Sequence, residues 1–221
     1  VIIYGDNLFL DKIKKTYTIS ENVLIEDKES LLKINAEKII YNEKNNLIQS
    51  YGQTTINKEN EYEIKTSNII YDKNLKKIIF DEESLIKDLR GNKLQVRKLN
   101  VFFLENLLVA DNAVFTDVEL NIYEIEKLYY DLQEKKLAGK DLTINKDNTI
   151  SINEYLPRVK SRSFIFDKKR LELDKSVYTN CKKRDGCPPW MIKAEKIIHD
   201  REKQNIEYTN AVLNIFDIPV L

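Results

Sequence analysis

The sequence predicts an all-β protein, and three observations carry that prediction. A four-residue motif of two apolar residues, an aromatic or apolar residue and Asp or Asn recurs along the 221 residues. Short apolar stretches alternate with period two, as strands with one buried face do. The connections are short and rich in Lys, Asn, Asp and Glu, with only 5 Gly and 4 Pro in the whole chain, so Asn and Asp must make the turns.

The motif starts at Leu8-Phe9-Leu10-Asp11 and returns as Ile39-Ile40-Tyr41-Asn42, Ile69-Ile70-Tyr71-Asp72 and Val101-Phe102-Phe103-Leu104. Leu128-Tyr129-Tyr130-Asp131, Phe164-Ile165-Phe166-Asp167 and Ile197-Ile198-His199-Asp200 complete the series. Fourth positions are 31, 30, 32, 27, 36 and 33 residues apart, from 42−11 through 200−167. A second landmark follows each motif, a small or polar cluster leading into apolar alternation: "SENVLI", "GQTTI", "EESLI", "DNAVF", "GKDLTI", "DKSVY" and "TNAVLNI". Each unit therefore reads strand, polar turn, strand, about seven times. Helical readings of stretches such as "AEKIIYNEK" fail because β-branched and aromatic residues with frequent polar interruptions suit strands.

Leu32, Ile34 and Ala36 share one face, with Lys33, Asn35 and Glu37 opposite. Ile39 and Tyr41 have the other parity, so a bulge or bend is expected near Glu37–Lys38. The same shift is expected at Ser67–Asn68 and Glu195–Lys196. Units this small bury a face only by stacking. The stack is either a closed sandwich or an elongated, partly open, twisted two-sheet groove with free edge strands that accept another sheet. Residues 1–221 are assigned to one domain.

Composition narrows the function. Lys plus Arg and Asp plus Glu both total 36, and a net charge of zero argues against nucleic acid, whose binding rests on a basic patch. No apolar run reaches the ~18 residues of a membrane helix, and no leader pattern opens the chain. Val1 reads as the start of a mature or trimmed chain, and "DIPVL" stops inside an apolar run, so a longer protein is expected. With a single His, Cys181 and Cys187 cannot complete a four-ligand zinc site. They are two free thiols, or they form disulfides with each other or with a missing part of the protein in an oxidising compartment.

His199, beside Asp200, has the look of a catalytic pair. It occupies the position filled by Tyr41, Tyr71, Tyr130 and Phe166 in other units, so it is read as the aromatic of a repeat with Asp200 starting a turn. No nucleophile or second base accompanies it, and no Gly-rich phosphate loop is present. Neither an enzyme nor a cofactor is expected.

The repeat "AEKIIYN…GQTTI" resembles the OstA-like repeat of periplasmic lipopolysaccharide-transport proteins of the LptA and LptC type. The segment from Val177 looks like the end of the periplasmic N-terminal domain of the LptD family of outer-membrane lipopolysaccharide assembly proteins. Cys181, Trp190, Ile198-His199-Asp200, Asn210-Ala211 and Pro219-Val220 follow that family's order. The resemblance implies a β-jellyroll groove for lipid A acyl chains, at the periplasmic face of a Gram-negative outer membrane. It implies lipopolysaccharide arriving from an LptA-like bridge joined edge to edge and leaving through a C-terminal outer-membrane barrel plugged by the lipoprotein LptE. That barrel is expected after residue 221. In the family, N-terminal cysteines form disulfides with barrel cysteines, and Cys181 holds the matching position; a Cys181–Cys187 bridge stays open.

A long lipid needs a continuous apolar trough, since each buried methylene contributes about 0.8 kcal/mol. The inward positions expected to line it are Ile34, Ala36, Ile39, Tyr41, Ile64, Ile69, Tyr71, Val96, Val101, Phe103, Ile125, Leu128, Tyr130, Phe164, Phe166, Ile192, Ala194 and Ile197. The same residues would equally fill a dry core. The competing function is a β-sheet scaffold or free-standing LptA/LptC-like bridge acting by edge-to-edge assembly. A carbohydrate-binding β-helix or lectin is weaker, because the aromatics follow the inward phase.

Overall fold

The computed structural model describes residues 2–28, 31–59, 61–146, 157–167, 169–181 and 188–220. They form 18 strands and no helix. The chain divides into two compact units, Val1–Ala110 and Asp111–Leu221.

The first unit contains β1 (Ile2–Tyr4), β2 (Asn7–Asp11), β3 (Thr16–Asp27), β4 (Leu32–Asn42) and β5 (Leu47–Lys58). It continues with β6 (Tyr62–Ser67), β7 (Ile69–Asp72), β8 (Lys77–Phe80), β9 (Ser84–Asp88) and β10 (Lys93–Phe102). All pairings are antiparallel. β3 pairs β4 and β4 pairs β5 over their lengths. β1 and β2 share the free side of β3, β6 and β7 share β5, and β8 and β9 share β10. Each of these three couples is one long strand broken in the middle. β11 (Leu107–Thr116) crosses the boundary. In the second unit β12 (Asn121–Asp131), β13 (Lys136–Lys146), β14 (Arg158–Phe166), β15 (Arg170–Thr179), β16 (Trp190–Asp200), β17 (Asn205–Ile215) and β18 (Ile218–Pro219) each pair the next.

The Asp/Asn corners work as local chemistry requires. Asp11 Oδ1 accepts the N–H groups of Ile13 and Lys14 at 3.0 and 2.9 Å. Asn42, Asp72, Asp131 and Asp200 each do the same for residues two and three positions on. Four residues after each corner the backbone is left-handed, at Lys15, Asn46, Lys76, Lys135 and Gln204. This is a four-residue hairpin loop held by an Asx cap.

One landmark moves. Asn106 is the left-handed residue of the fourth loop, which makes Phe102 the corner and Val101 the residue in the aromatic position. The motif there is Leu99-Asn100-Val101-Phe102, two residues earlier than the sequence pattern indicated. The spacings around it become 102−72 = 30 and 131−102 = 29, more regular than 32 and 27. Phe cannot cap, and Lys77 Nζ instead lies 4.7 Å from the Phe102 ring centroid.

The expected mid-strand irregularities exist, but the left-handed residue often sits on the facing strand. Glu37 is unpaired opposite the bulge at Gly52 (φ 76°), where the β4–β5 register shifts. Glu195 faces Asn210 (φ 49°) in a gap of the β16–β17 ladder. At the third expected position Asn68 (φ 53°) itself separates β6 from β7. Asn22, Asn112, Asp141 and Lys175 kink their strands likewise. All but Asn68 lie in the small or polar clusters of the second landmark, so that landmark marks the kink.

The kinks decide where the core is. Residues three apart on a regular strand face opposite ways. Here Ala36 and Ile39 are both buried in one cluster with Val23. The same spacing recurs in the buried pairs Thr66/Ile69, Val96/Leu99, Ile125/Leu128, Ser161/Phe164 and Ala194/Ile197. Each strand thus contributes from both sides of its bend to one interior.

Candidate functional site

Register places the inward side chains in cross-strand rows. On the turn side of the kinks in the first unit, the deep row runs Ile19, Ile39, Ser50, then Ile69, Phe80 and Leu99. The next row toward the turns is Leu10, Tyr17, Tyr41, Ile48, Tyr71, Ile78 and Val101. Most of the deep row is buried, whereas from Tyr41 to Val101 the outer row is half-buried. On the other side of the kinks lies an aliphatic row, Ile3, Ile25, Ile34, Ile56, Ile64, Ile86 and Leu94.

The second unit repeats this. Its deep row is Leu128, Gly139, Phe164, Leu173, Ile197 and Tyr208. Its outer row is Tyr130, Leu137, Phe166, Leu171, His199 and Ile206. Across the kinks lie Tyr123, Ile144, Val159, Tyr178, Ile192 and Leu213.

Of the eighteen positions expected inward, Ala36, Ile39, Ile64, Ile69, Val96, Ile125, Leu128, Phe164, Ala194 and Ile197 are buried. Ile34, Tyr41, Tyr71, Val101, Tyr130, Phe166 and Ile192 are half-buried and belong to the rows with accessible surface. Phe103 lies past the end of β10 and is 46% exposed, with its ring edge-on to Tyr71 at 6.4 Å. Tyr17, Ile48, Ile78, Leu137 and Leu171 complete the half-exposed rows, and the sequence reading passed over them. Their signal was available: in a hairpin with a fixed loop, the residue before the corner pairs with the one two places after the left-handed residue.

Buried hydroxyls beside the kinks are matched to one another or to backbone, whereas Asn214 Oδ1 on β17 has no partner among the described residues. Thr54 Oγ1 donates to Ser50 Oγ at 2.9 Å, and Ser50 Oγ accepts the Ile69 N–H at 2.9 Å. Thr66 and Ser84 share a 2.7 Å hydrogen bond, and Ser176 Oγ donates to Ser161 Oγ at 3.0 Å. The rows therefore offer apolar contact, not unpaired polar groups. Burial, then the neighbouring Asp131, pushes the Tyr130 phenol up, keeping it protonated and neutral. At the turn end a cation adjoins each outer row: Lys73 Nζ lies 5.0 Å from the Tyr41 ring and the Arg201 guanidinium 4.7 Å from the Phe166 ring.

His199 is half-buried between Leu171 and Ile206. Asp200 directs Oδ1 to the N–H groups of Glu202 and Lys203, both at 3.1 Å. The pair is row and corner, with no acid–base geometry. Among the described residues no group of three His, Cys, Asp or Glu could hold a metal. Cys181 is buried with a free thiol; its N–H donates to Thr179 Oγ1 at 3.2 Å and its carbonyl accepts from Arg158 Nη2 at 2.9 Å. Cys187 lies outside the described residues.

Each unit also has an unpaired apolar edge. β1 and β2 pair only with β3 among the described residues, and Ile3, Leu8, Phe9 and Leu10 are exposed there. Among the described residues β17 pairs β18 only at Asn214 and Ile215, and Ile206 and Tyr208 are exposed along the rest of that edge.

No protein-family profile matches this sequence, and no curated protein matches it. Among solved structures, the chain is similar to LptH, described as the LptA homologous periplasmic component of the conserved lipopolysaccharide transport device from Pseudomonas aeruginosa. That likeness covers 76% of this chain and 94% of LptH, at 13% identity and a TM-score of 0.26.

Proposed function

We propose that this chain carries lipopolysaccharide in the periplasm, holding acyl chains against the half-exposed apolar rows of its units. The observation that carries the reading is the pairing of a mostly buried row with a half-buried one in strict register. A sealed core would bury both, and a solvent-facing sheet would make the second polar. An acyl chain laid along Tyr41, Ile48, Tyr71 and Ile78 gains about 0.8 kcal/mol per methylene removed from water. Lys73 and Arg201 are placed to meet anionic groups at the ends of these rows.

The finer proposal is a periplasmic domain of the LptD type at the outer membrane. It receives lipid from an LptA-like bridge across the β1–β2 edge and delivers it to a C-terminal barrel plugged by LptE. Its support is the order of Cys181, Trp190, His199-Asp200, Asn210-Ala211 and Pro219-Val220. In that reading residues 1–221 act together, and Cys181 or Cys187 pairs with a barrel cysteine. The second reading is a free-standing bridge or scaffold, favoured by the free apolar edges of β2 and β17, both able to accept a strand.

Site-specific photocrosslinking tests the lipid proposal. Benzoylphenylalanine at Tyr71 or Phe166 should label with lipopolysaccharide, while the same group at the exposed Lys65 should not. Labelling at Lys65 with none in the rows would leave only the scaffold.

A further inference from the structure

The turn loops of the first unit combine exposed apolar tips with uncompensated positive charge. Ile13 is 88% exposed, Leu75 62% and Leu104 69%, one on each of three loops. Scattered exposed apolar residues are ordinary, but these loops are locked side by side. Glu43 N donates to Lys15 O, Lys73 N to Asn46 O and Phe103 N to Lys76 O, each at 3.0 Å. Asn46 Nδ2 and Asn74 Oδ1 add a side-chain link at 3.0 Å. The tips are therefore presented as one ordered rim.

The charge on that rim is unbalanced. Lys12, Lys15, Lys44 and Lys76 are exposed and form no ion pair among the described residues. Lys73 and Lys77 lie over the rings of Tyr41 and Phe102. Lys14 meets Asp11 Oδ2 at 4.0 Å, and with Asp72, Glu43 and Glu105 the rim has four carboxylates against seven lysines, an excess of three positive charges. The opposite end of the same unit also has exposed tips, Leu31 and Leu89. There Glu59, whose N–H donates to Leu31 O at 3.1 Å, and Asp88, next to Leu89, bring carboxylates to the tips, and Glu61 binds Lys58 at 2.9 Å. Among the described residues the matching loops of the second unit have no exposed large apolar tip, and two of them are joined by ion pairs, Lys169–Glu202 at 2.8 Å and Arg170–Asp200 at 3.5 Å.

We infer that the first unit's turn rim docks on an anionic bilayer surface, with Ile13, Leu75 and Leu104 entering the interface and the lysines meeting lipid headgroups. Apolar insertion and attraction to anionic lipid add at such surfaces. Because the loops are already ordered by backbone bonds, little conformational entropy is lost on docking. Lys73 stands at the end of an apolar row and is shared with the lipid site proposed above. Lys12, Lys15, Lys44, Lys76 and the three apolar tips lie outside the rows, and rim docking does not depend on lipid held in them.

Flotation of the full chain with vesicles tests it. The chain should float with phosphatidylcholine vesicles containing a quarter phosphatidylglycerol at low salt, and not with phosphatidylcholine alone. Each of Lys12→Gln, Lys15→Gln, Lys44→Gln and Lys76→Gln should weaken partitioning about fivefold, and raised salt should act in the same direction. Ile13→Asp, Leu75→Asp and Leu104→Asp together should abolish flotation, whereas Leu89→Asp should not. These side chains are exposed, so the melting temperature should hold. Tryptophan at Leu75 should be quenched by spin-labelled lipid, and tryptophan at Leu89 should not. Crosslinking of lipopolysaccharide at Tyr71 should be unchanged in the loop variants. Flotation that ignores phosphatidylglycerol, or that survives the loop changes but falls with Ile48→Arg, would assign vesicle capture to the rows and refute rim docking.

Discussion

Ser50 and Gly139 occupy the same position in the deep rows of the two units, and the structure solves that position in two ways. Ser50 stands between Ile39 and Ile69 and uses its hydroxyl oxygen to accept the Ile69 N–H at 2.9 Å. Gly139 stands between Leu128 and Phe164, and the Phe164 ring covers it. A Cβ at residue 139 would come within 2.5 Å of Phe164 Cε1 and 2.6 Å of Lys127 O. The repeat fixes the sum of volumes across three strands and leaves the division among them free. A small residue with a polar handle beside Ile and no side chain beside Phe are equivalent fillings.

The sharpest way to break that equivalence is Gly139→Ala. One of the two contacts is backbone and cannot move cheaply, so a loss of about 3 kcal/mol is expected in denaturant unfolding. Phe164→Ile in the same chain should recover part of it; no recovery would mean that the carbonyl of Lys127 alone forbids the methyl group. Ser50→Ala should cost less, about 1–2 kcal/mol, because it fits the space but leaves the Ile69 N–H without its acceptor. Ser50→Gly should be worse than Ser50→Ala, as Ile69 is too small to cover the gap.

The smallest effect concerns the corners. Backbone N–H donors, Lys169 first at Asp167 and Lys203 at Asp200, hold both carboxyls below the usual carboxylate range. A depressed carboxylate contributes stability above its unfolded value near 4 and loses it as pH falls through the folded value. The second unit, followed by Trp190 fluorescence, should therefore weaken below about pH 4. Asp167→Asn with Asp200→Asn should flatten that loss while keeping the caps, as Asn42 already caps its loop in the first unit. A profile unchanged by both substitutions would place the acid sensitivity elsewhere.

Corners, strands and kinks were legible because their causes are local: an Asp oxygen reaching two N–H groups, alternation, and a small residue tolerant of positive φ. The fourth corner was misplaced because Phe102 cannot cap, so the composition cue for its loop is missing. Half of each row was overlooked because Tyr17, Ile48 and Leu137 lie on return strands, where no quartet announces them. Gly52 and Asn210 carry bends that the sequence assigned to Glu37 and Glu195, since parity shows that a ladder is broken but not which strand breaks it. His199 was readable as a row member, since its place in the period outweighed its chemistry.

Among the described residues, each strand from β12 to β18 pairs only with its neighbours in chain order. A chain with such short-range pairing orders quickly. It can assemble from one end, each new hairpin zipping onto the strand just laid down, with no wait for a distant partner. Duplication of one such segment of about thirty residues lengthens the array by one step and leaves every existing pairing intact. Growth by tandem copying is therefore open to this architecture in a way that a closed barrel, with its fixed circumference, does not permit.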